Sequence, residues 1–146
     1  MSTSIFVNIA TTDLERAKAF YTGLGATINP NFTDDNAACL VWSDDVYFMV
    51  LKREFMATFT EKEIGDPTLT TTALVSLSRD SRDAVDAAVA AATTHGGREL
   101  REAQDYGFMY SRDIEDPDGN EVGFLWMDPK AAEIGPEAYM AEQAQA

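Results

Sequence analysis

The chain of 146 residues contains one cysteine and one histidine. A single thiol excludes an internal disulfide. Cys39 lies in the apolar run AACLVW, where a small buried hydrophobe is expected. Without a disulfide framework, a cytoplasmic location is expected. The sole histidine, His95, has no nucleophile near it in sequence, and neither a Gly-rich phosphate loop nor a serine-elbow motif is present. Basic residues are few: 11 Lys and Arg against 25 Asp and Glu give a formal charge of -14. That balance disfavours nucleic acid and anionic membranes as partners and favours capture of cationic molecules. No apolar run approaches the ~18 residues of a membrane span. The opening MSTSIFVNIA lacks the basic-then-apolar order of a secretory signal. What remains, 45% hydrophobic and 25% charged, suits an ordinary core in one domain or two fused half-domains.

Two halves share one order of elements. Ser4 to Ala10 alternates, with Ile5, Val7 and Ile9 on one face and Phe6, Asn8 and Ala10 on the other. Thr12 and Glu15 match a capping box, and Leu14, Ala17, Phe20, Tyr21 and Leu24 follow at helical spacing up to Gly23 or Gly25. AACLVW and VYFMVLK around Ser43, Asp44 and Asp45 read as a hairpin. The second half repeats this: a strand over Thr71 to Ser78, a helix over Arg82 to Thr94, a short strand near Arg98 to Leu100, and a longer one over Phe108 to Glu115. The DPDGN turn and a last strand close it. Placing Asn8 on Ser76 and Asp45 on Asn120 gives offsets of 68 and 75 residues, an internal repeat of element order. Between the halves, Phe55, Met56, Phe59 and Ile64 stand among charges, as a linker with a short amphipathic helix or as a flap over a pocket. The segment 129–146 reads as a tail, frayed or as a surface helix.

IFVNIATTDLERAKAFYTGLG resembles the opening of vicinal oxygen chelate proteins, the glyoxalase/bleomycin resistance/dioxygenase superfamily, and DPDGNEVGFLW resembles their last strand. The resemblance covers residues 4 to 128 and implies an α+β fold. Two βαβββ modules, about 4–66 and 70–128 of a single domain, would form curled mixed sheets around a cup. In metal-using members each module gives one ligand from its first strand and one from its last. The resemblance places those positions at Phe6 and about Thr72 in the first strands, at Phe48 (give or take one residue) in the first module's last strand, and at Gly123 in the final strand. A divalent ion needs several nitrogen or oxygen donors converging at ~2.0–2.2 Å. Phe, Thr, Phe and Gly do not supply them, so no cofactor is expected; the alternative is a divalent metal held by altered ligands. Strand parity puts Glu121, Gly123, Leu125 and Met127 on the cup face and Val122, Phe124 and Trp126 under the helices.

The expected cup lining is Phe6, Asn8, Phe48, Thr72, Leu74, Ser76, Gly123 and Leu125, with Tyr106 at a mouth bent by Gly107. Such a cup would capture a small organic molecule, a cation for preference, as the bleomycin-binding relatives do, and a homodimer is expected. The alternative is a glyoxalase-like or dioxygenase-like enzyme using Asn8, Tyr106 or Glu121 for proton transfer. Glu121 is either a displaced ligand or an exposed rim residue. Asp113, Glu115, Asp116 and Asp118 read as a solvated acidic turn or a calcium loop. Arg112 would meet a ligand carboxylate or a neighbouring acid, and His95 suits a helix C-terminus.

Overall fold

The computed structural model describes residues 2–145. The first half runs β1 (Ile5–Thr11), α1 (Leu14–Gly23), β2 (Thr27–Ile28), β3 (Ala37–Val41) and β4 (Val46–Lys52). A connection follows that holds α2 (Arg53–Met56). The second half runs β5 (Val75–Ser78), α3 (Arg82–Thr94), β6 (Arg98–Glu99), β7 (Gln104–Asp105), β8 (Met109–Glu115) and β9 (Glu121–Met127). Two short helices, α4 (Pro129–Ile134) and α5 (Pro136–Ala144), make up the tail.

Each half forms its own mixed sheet, ordered β1-β4-β3-β2 and β5-β9-β8-β6, with β7 also on β8. In each, the first strand lies parallel to the last: Asn8 pairs with Met49, and Ser76 with Gly123. The expected alternation holds. Val7 and Ile9 face the helices, as do Leu77, Val122 and Phe124, and they join Phe20 and Tyr21 of α1 and Val85 and Val89 of α3 in one apolar core. Both halves therefore bury the same side of their sheets, and the other sides face outward. β1 and β5 each pair on one side only, so a groove runs between the modules.

The sequence differs from the structure at several points, each with a local cause. Helix α1 is capped by Asp13, whose Oδ1 accepts from Arg16 N at 3.0 Å. Thr12 is unavailable for that role because its N–H and hydroxyl both donate to Asp118 Oδ1 at 2.9 Å. Strand β5 begins only at Val75; its sole partner, β9, starts at Glu121 after the tight turn, so Thr71 to Ala73 lie beyond its end.

The acidic turn is not a solvated loop. Asp116 is buried; its Oδ2 accepts from the Tyr21 hydroxyl at 2.7 Å, and its Oδ1 accepts from the backbone N–H groups of Asp118 and Asn120 at 2.9 Å. Burial pushes the Asp116 carboxyl above its ordinary range against the pull of these hydrogen bonds. The Asp118 side chain, 5% exposed, accepts from Thr11 (2.6 Å), Thr12 and Arg16 (2.8 Å). Asn120 donates to the Ala10 carbonyl at 3.0 Å. Gly119, at φ +97°, makes the reversal that brings these groups to the first module. The DPDGN turn is thus a clamp between the halves.

Candidate functional site

The outer face of the second sheet holds a cavity of about 350 Å³. Strand alternation fills it from three neighbours: Ser76 on β5, Met109, Ser111 and Asp113 on β8, and Glu121, Gly123 and Leu125 on β9. Leu74, Leu100 and Arg101 close its sides. Four expected lining residues, Leu74, Ser76, Gly123 and Leu125, therefore come together here.

Gly123 sits at the floor because something else needs its space. A β-carbon placed on it would lie 2.6 Å from Asp113 Oδ1 and 3.1 Å from the Ser76 hydroxyl oxygen. Asp113 is the cross-strand partner of Gly123, so its carboxylate folds over the glycine. Arg101 holds it there, donating from Nε at 2.8 Å and approaching with Nη2 at 2.7 Å. Glu121, half-buried on the same face, has no ion-pair partner among the described residues, and it also borders a second cavity of about 620 Å³.

That second cavity lies between β1 and the connection. Asn8 and Thr72 both line it, with Met56 and Ile64 on the connection side. The connection is fixed by Arg53, which donates to the carbonyls of Ile64 and Gly65 at 2.9 Å. Phe55 and Phe59 pack edge to face at 5.0 Å. The segment carries the short helix of the first reading, and Met56 and Ile64, not Phe55 and Phe59, reach the cavity.

The remaining expected lining residues lie apart. Phe6 is on the outer face of the first sheet, 53% exposed and stacked on Tyr47 with ring centroids 4.6 Å apart. Phe48 was expected on that face and is instead fully buried on the other, edge to face with Tyr21 and Trp42. The register explains it: Phe48 pairs with Val7, and Met49 with Asn8, so Met49 is the counterpart of Gly123. The same register makes Leu74, not Thr72, the counterpart of Phe6. Tyr106 is exposed, stacked on Phe108 at 6.1 Å and donating to Gln104, beside Gly107 at φ +80°.

Tyr110 and Arg112 face the helices. Arg112 forks onto Glu99 at 2.7 and 2.8 Å and reaches Asp86 at 2.8 Å, and the Tyr110 hydroxyl donates to Asp86 at 2.6 Å. These bonds hold the Asp86 and Glu99 carboxyls below their ordinary range. His95 caps α3 and lays its ring against Gly23 of α1.

The metal that the resemblance implies does not fit the four positions as the register defines them. Phe6, Met49, Leu74 and Gly123 offer a phenyl ring, a thioether, an isobutyl group and a hydrogen, none a hard nitrogen or oxygen donor. Among the described residues, no group of three or more His, Cys, Asp or Glu side chains is placed to hold an ion. Asp113, which the sequence groups with the acidic turn, instead stands opposite Gly123, and a signal for that exists. Counting equally outward from Asp118 along both arms of the hairpin puts Asp113 opposite Gly123. Arg101, on an irregular stretch after β6, carried none.

Solved structures share this fold. A hypothetical protein from S. aureus superposes with a TM-score of 0.72 at 21% identity, over 86% of this chain and 94% of its own. A glyoxalase/bleomycin resistance protein/dioxygenase family enzyme from Burkholderia phytofirmans PsJN gives 0.70 at 20%, over 86% and 99%. A glyoxalase/bleomycin resistance protein from Albidiferax ferrireducens T118 gives 0.62 at 23%, over 83% and 95%. No curated protein matches the sequence. The model of one family matches residues 5–124, most of both modules, and with it the chain belongs to the Glyoxalase/Bleomycin resistance protein/Dioxygenase superfamily.

Proposed function

We propose that this chain is a metal-independent binding member of its superfamily, which captures a small organic molecule on the outer face of the second sheet. The observation that carries the reading is the filling of the Gly123 space by Asp113. A site that would hold an ion is rebuilt as an apolar cavity with two carboxylates and two serine hydroxyls. Leu74, Leu100, Met109 and Leu125 supply apolar area for affinity, and the sparse polar groups fix orientation. Asp113 is neutralised by Arg101, whereas Glu121 is not, so the cavity keeps one free negative charge. A ligand with an apolar body and a cationic end matches it, and the -14 charge of the chain raises the local concentration of such a molecule. A second copy covering the outward faces of both sheets, where Phe6 and Tyr47 stack in the open, would complete the enclosure as a homodimer.

The test has two arms. Protein purified without a histidine tag is expected to carry no stoichiometric transition metal by elemental analysis and to melt at the same temperature with and without chelator. Titration with benzyltrimethylammonium is expected to bind about tenfold more tightly than its neutral neopentylbenzene counterpart, a preference of ~1.4 kcal/mol, and Glu121→Gln is expected to erase that preference. A stoichiometric metal that raises the melting temperature, or equal affinity for cation and neutral probe, would overturn the reading. Sedimentation velocity reports the homodimer.

A further inference from the structure

One arginine stands apart from the others. Arg16, Arg82, Arg98, Arg101 and Arg112 each hold a carboxylate, and Arg53 holds two carbonyls. Arg79 has no carboxylate within ion-pair distance among the described residues, in a chain with more than twice as many acids as bases. Its guanidinium lies between two rings, 4.8 Å from the centre of Phe124 and 5.5 Å from that of Trp42. It makes one side-chain hydrogen bond, from Nη1 to the Ser78 carbonyl at 2.9 Å. Burial pulls its pKa down, against the opposing pull of the nearby Asp80 charge.

Beside it, the indole N–H of Trp42 is the one buried side-chain polar atom among the described residues with no partner. Buried donors are nearly always satisfied. An unpartnered indole and a guanidinium without an ion-pair partner, from different modules, thus meet at the inter-module groove, a cavity of about 690 Å³ lined by Trp42, Ser43, Val46, Ser78, Arg79 and Asp80. This volume is in the range of small-molecule sites. The groove runs along the edges of β1 and β5 and shares Val75 and Ser76 with the outer-face cavity, whereas Arg79 and Trp42 line the groove alone.

We infer that this groove is a second ligand site, in which Arg79, with the Trp42 indole alongside, receives the carboxylate of a small organic monoanion. A stacked guanidinium presents its planar fork to a carboxylate while its face stays on the rings. The walls from Trp42 and Val46 accept an apolar or aromatic body. Asp80 sets the charge: it lines the same cavity next to Arg79, so a dianion such as phosphate meets repulsion that a monoanion meets only in part.

The two tryptophans, Trp42 and Trp126, give two indole N–H resonances, assigned with Trp126→Phe. Titration of the full chain with benzoate is expected to shift the Trp42 resonance saturably, while benzamide and inorganic phosphate leave it in place. Arg79→Met is expected to weaken benzoate at least ~tenfold, and Glu121→Gln to leave it unchanged, which separates this site from the outer-face cavity. Should Arg79→Met fail to fold, Arg79→Lys keeps the charge and loses the fork, and is expected to weaken benzoate about threefold or more. A Trp42 resonance that does not move, that moves equally with benzamide or phosphate, or that titrates normally in the Arg79 variants would overturn the inference.

Discussion

Replacing Gly123 by alanine tests the central contact of the outer-face cavity. The added methyl would sit 2.6 Å from Asp113 Oδ1, so the carboxylate must rotate away and release Arg101. Two effects then compete. Alanine in a strand interior gains ~0.5–1 kcal/mol over glycine through lost unfolded-state freedom. Against it stand a half-exposed ion pair worth ~0.2–1 kcal/mol and an off-rotamer Asp113 costing about 0.5–1.5 kcal/mol. The sum runs from a gain of about 0.3 to a loss of about 2 kcal/mol. In an Asp113→Ala background the clash and the ion pair are both gone, and the same substitution is expected to stabilise by up to ~0.5–1 kcal/mol, less a small correction for Ser76 at 3.1 Å. The double-mutant cycle, read by urea denaturation, should therefore show a coupling of about 1–2 kcal/mol. Additive effects within ~0.3 kcal/mol would mean that Asp113 does not occupy the glycine's space, and the reading of the cavity floor would fall with it.

Tyr21→Phe removes a hydrogen bond to a buried carboxylate that keeps three other donors, so a loss of ~1.5–3 kcal/mol is expected; chemical denaturation measures it. It should also raise the Asp116 pKa further, because the Tyr21 hydrogen bond favours the ionised form. The signs of pH dependence differ between sites. Asp86 and Glu99 have lowered folded pKa values, so their contribution is present above their ordinary pKa values and is lost as pH falls through the lowered ones. Arg112→Leu is expected to flatten that acid-side loss in a plot of stability against pH; an unchanged slope would contradict the network. Asp116 works in the opposite direction: its folded pKa is raised, so its contribution is full below the ordinary pKa and declines as pH rises through the raised one.

Much of this fold could be read from alternation and repeats. Val122 and Phe124 against Gly123 and Leu125 fixed one sheet's faces, because a slip of one residue would bury the wrong set. Phe48 went astray for the same reason in reverse. Its turn, SDD, is shorter than DPDGN, and matching the two turns left an uncertainty of one residue, enough to exchange faces. Thr72 was misplaced because a run of threonines reads as strand whether or not a partner exists. Asp116 and Asp118 look like solvent-facing acids in sequence; only the packing of α1 and the β1 end against the turn gives them partners more than ninety residues away. Arg101 and Arg79 were invisible for a related reason: their significance lies in which groups they meet, or fail to meet, across elements.

The DPDGN turn spends its acids and its amide on Tyr21, Thr11, Thr12, Arg16 and the Ala10 carbonyl, none of which lines the cavity around Gly123. Joining the halves and furnishing the outward face are therefore carried by separate groups of atoms. Substitutions on one leave the other mechanically intact. The stretch that makes such a chain recognisable reports how its halves are riveted, and it is silent about the chemistry performed a few ångströms away.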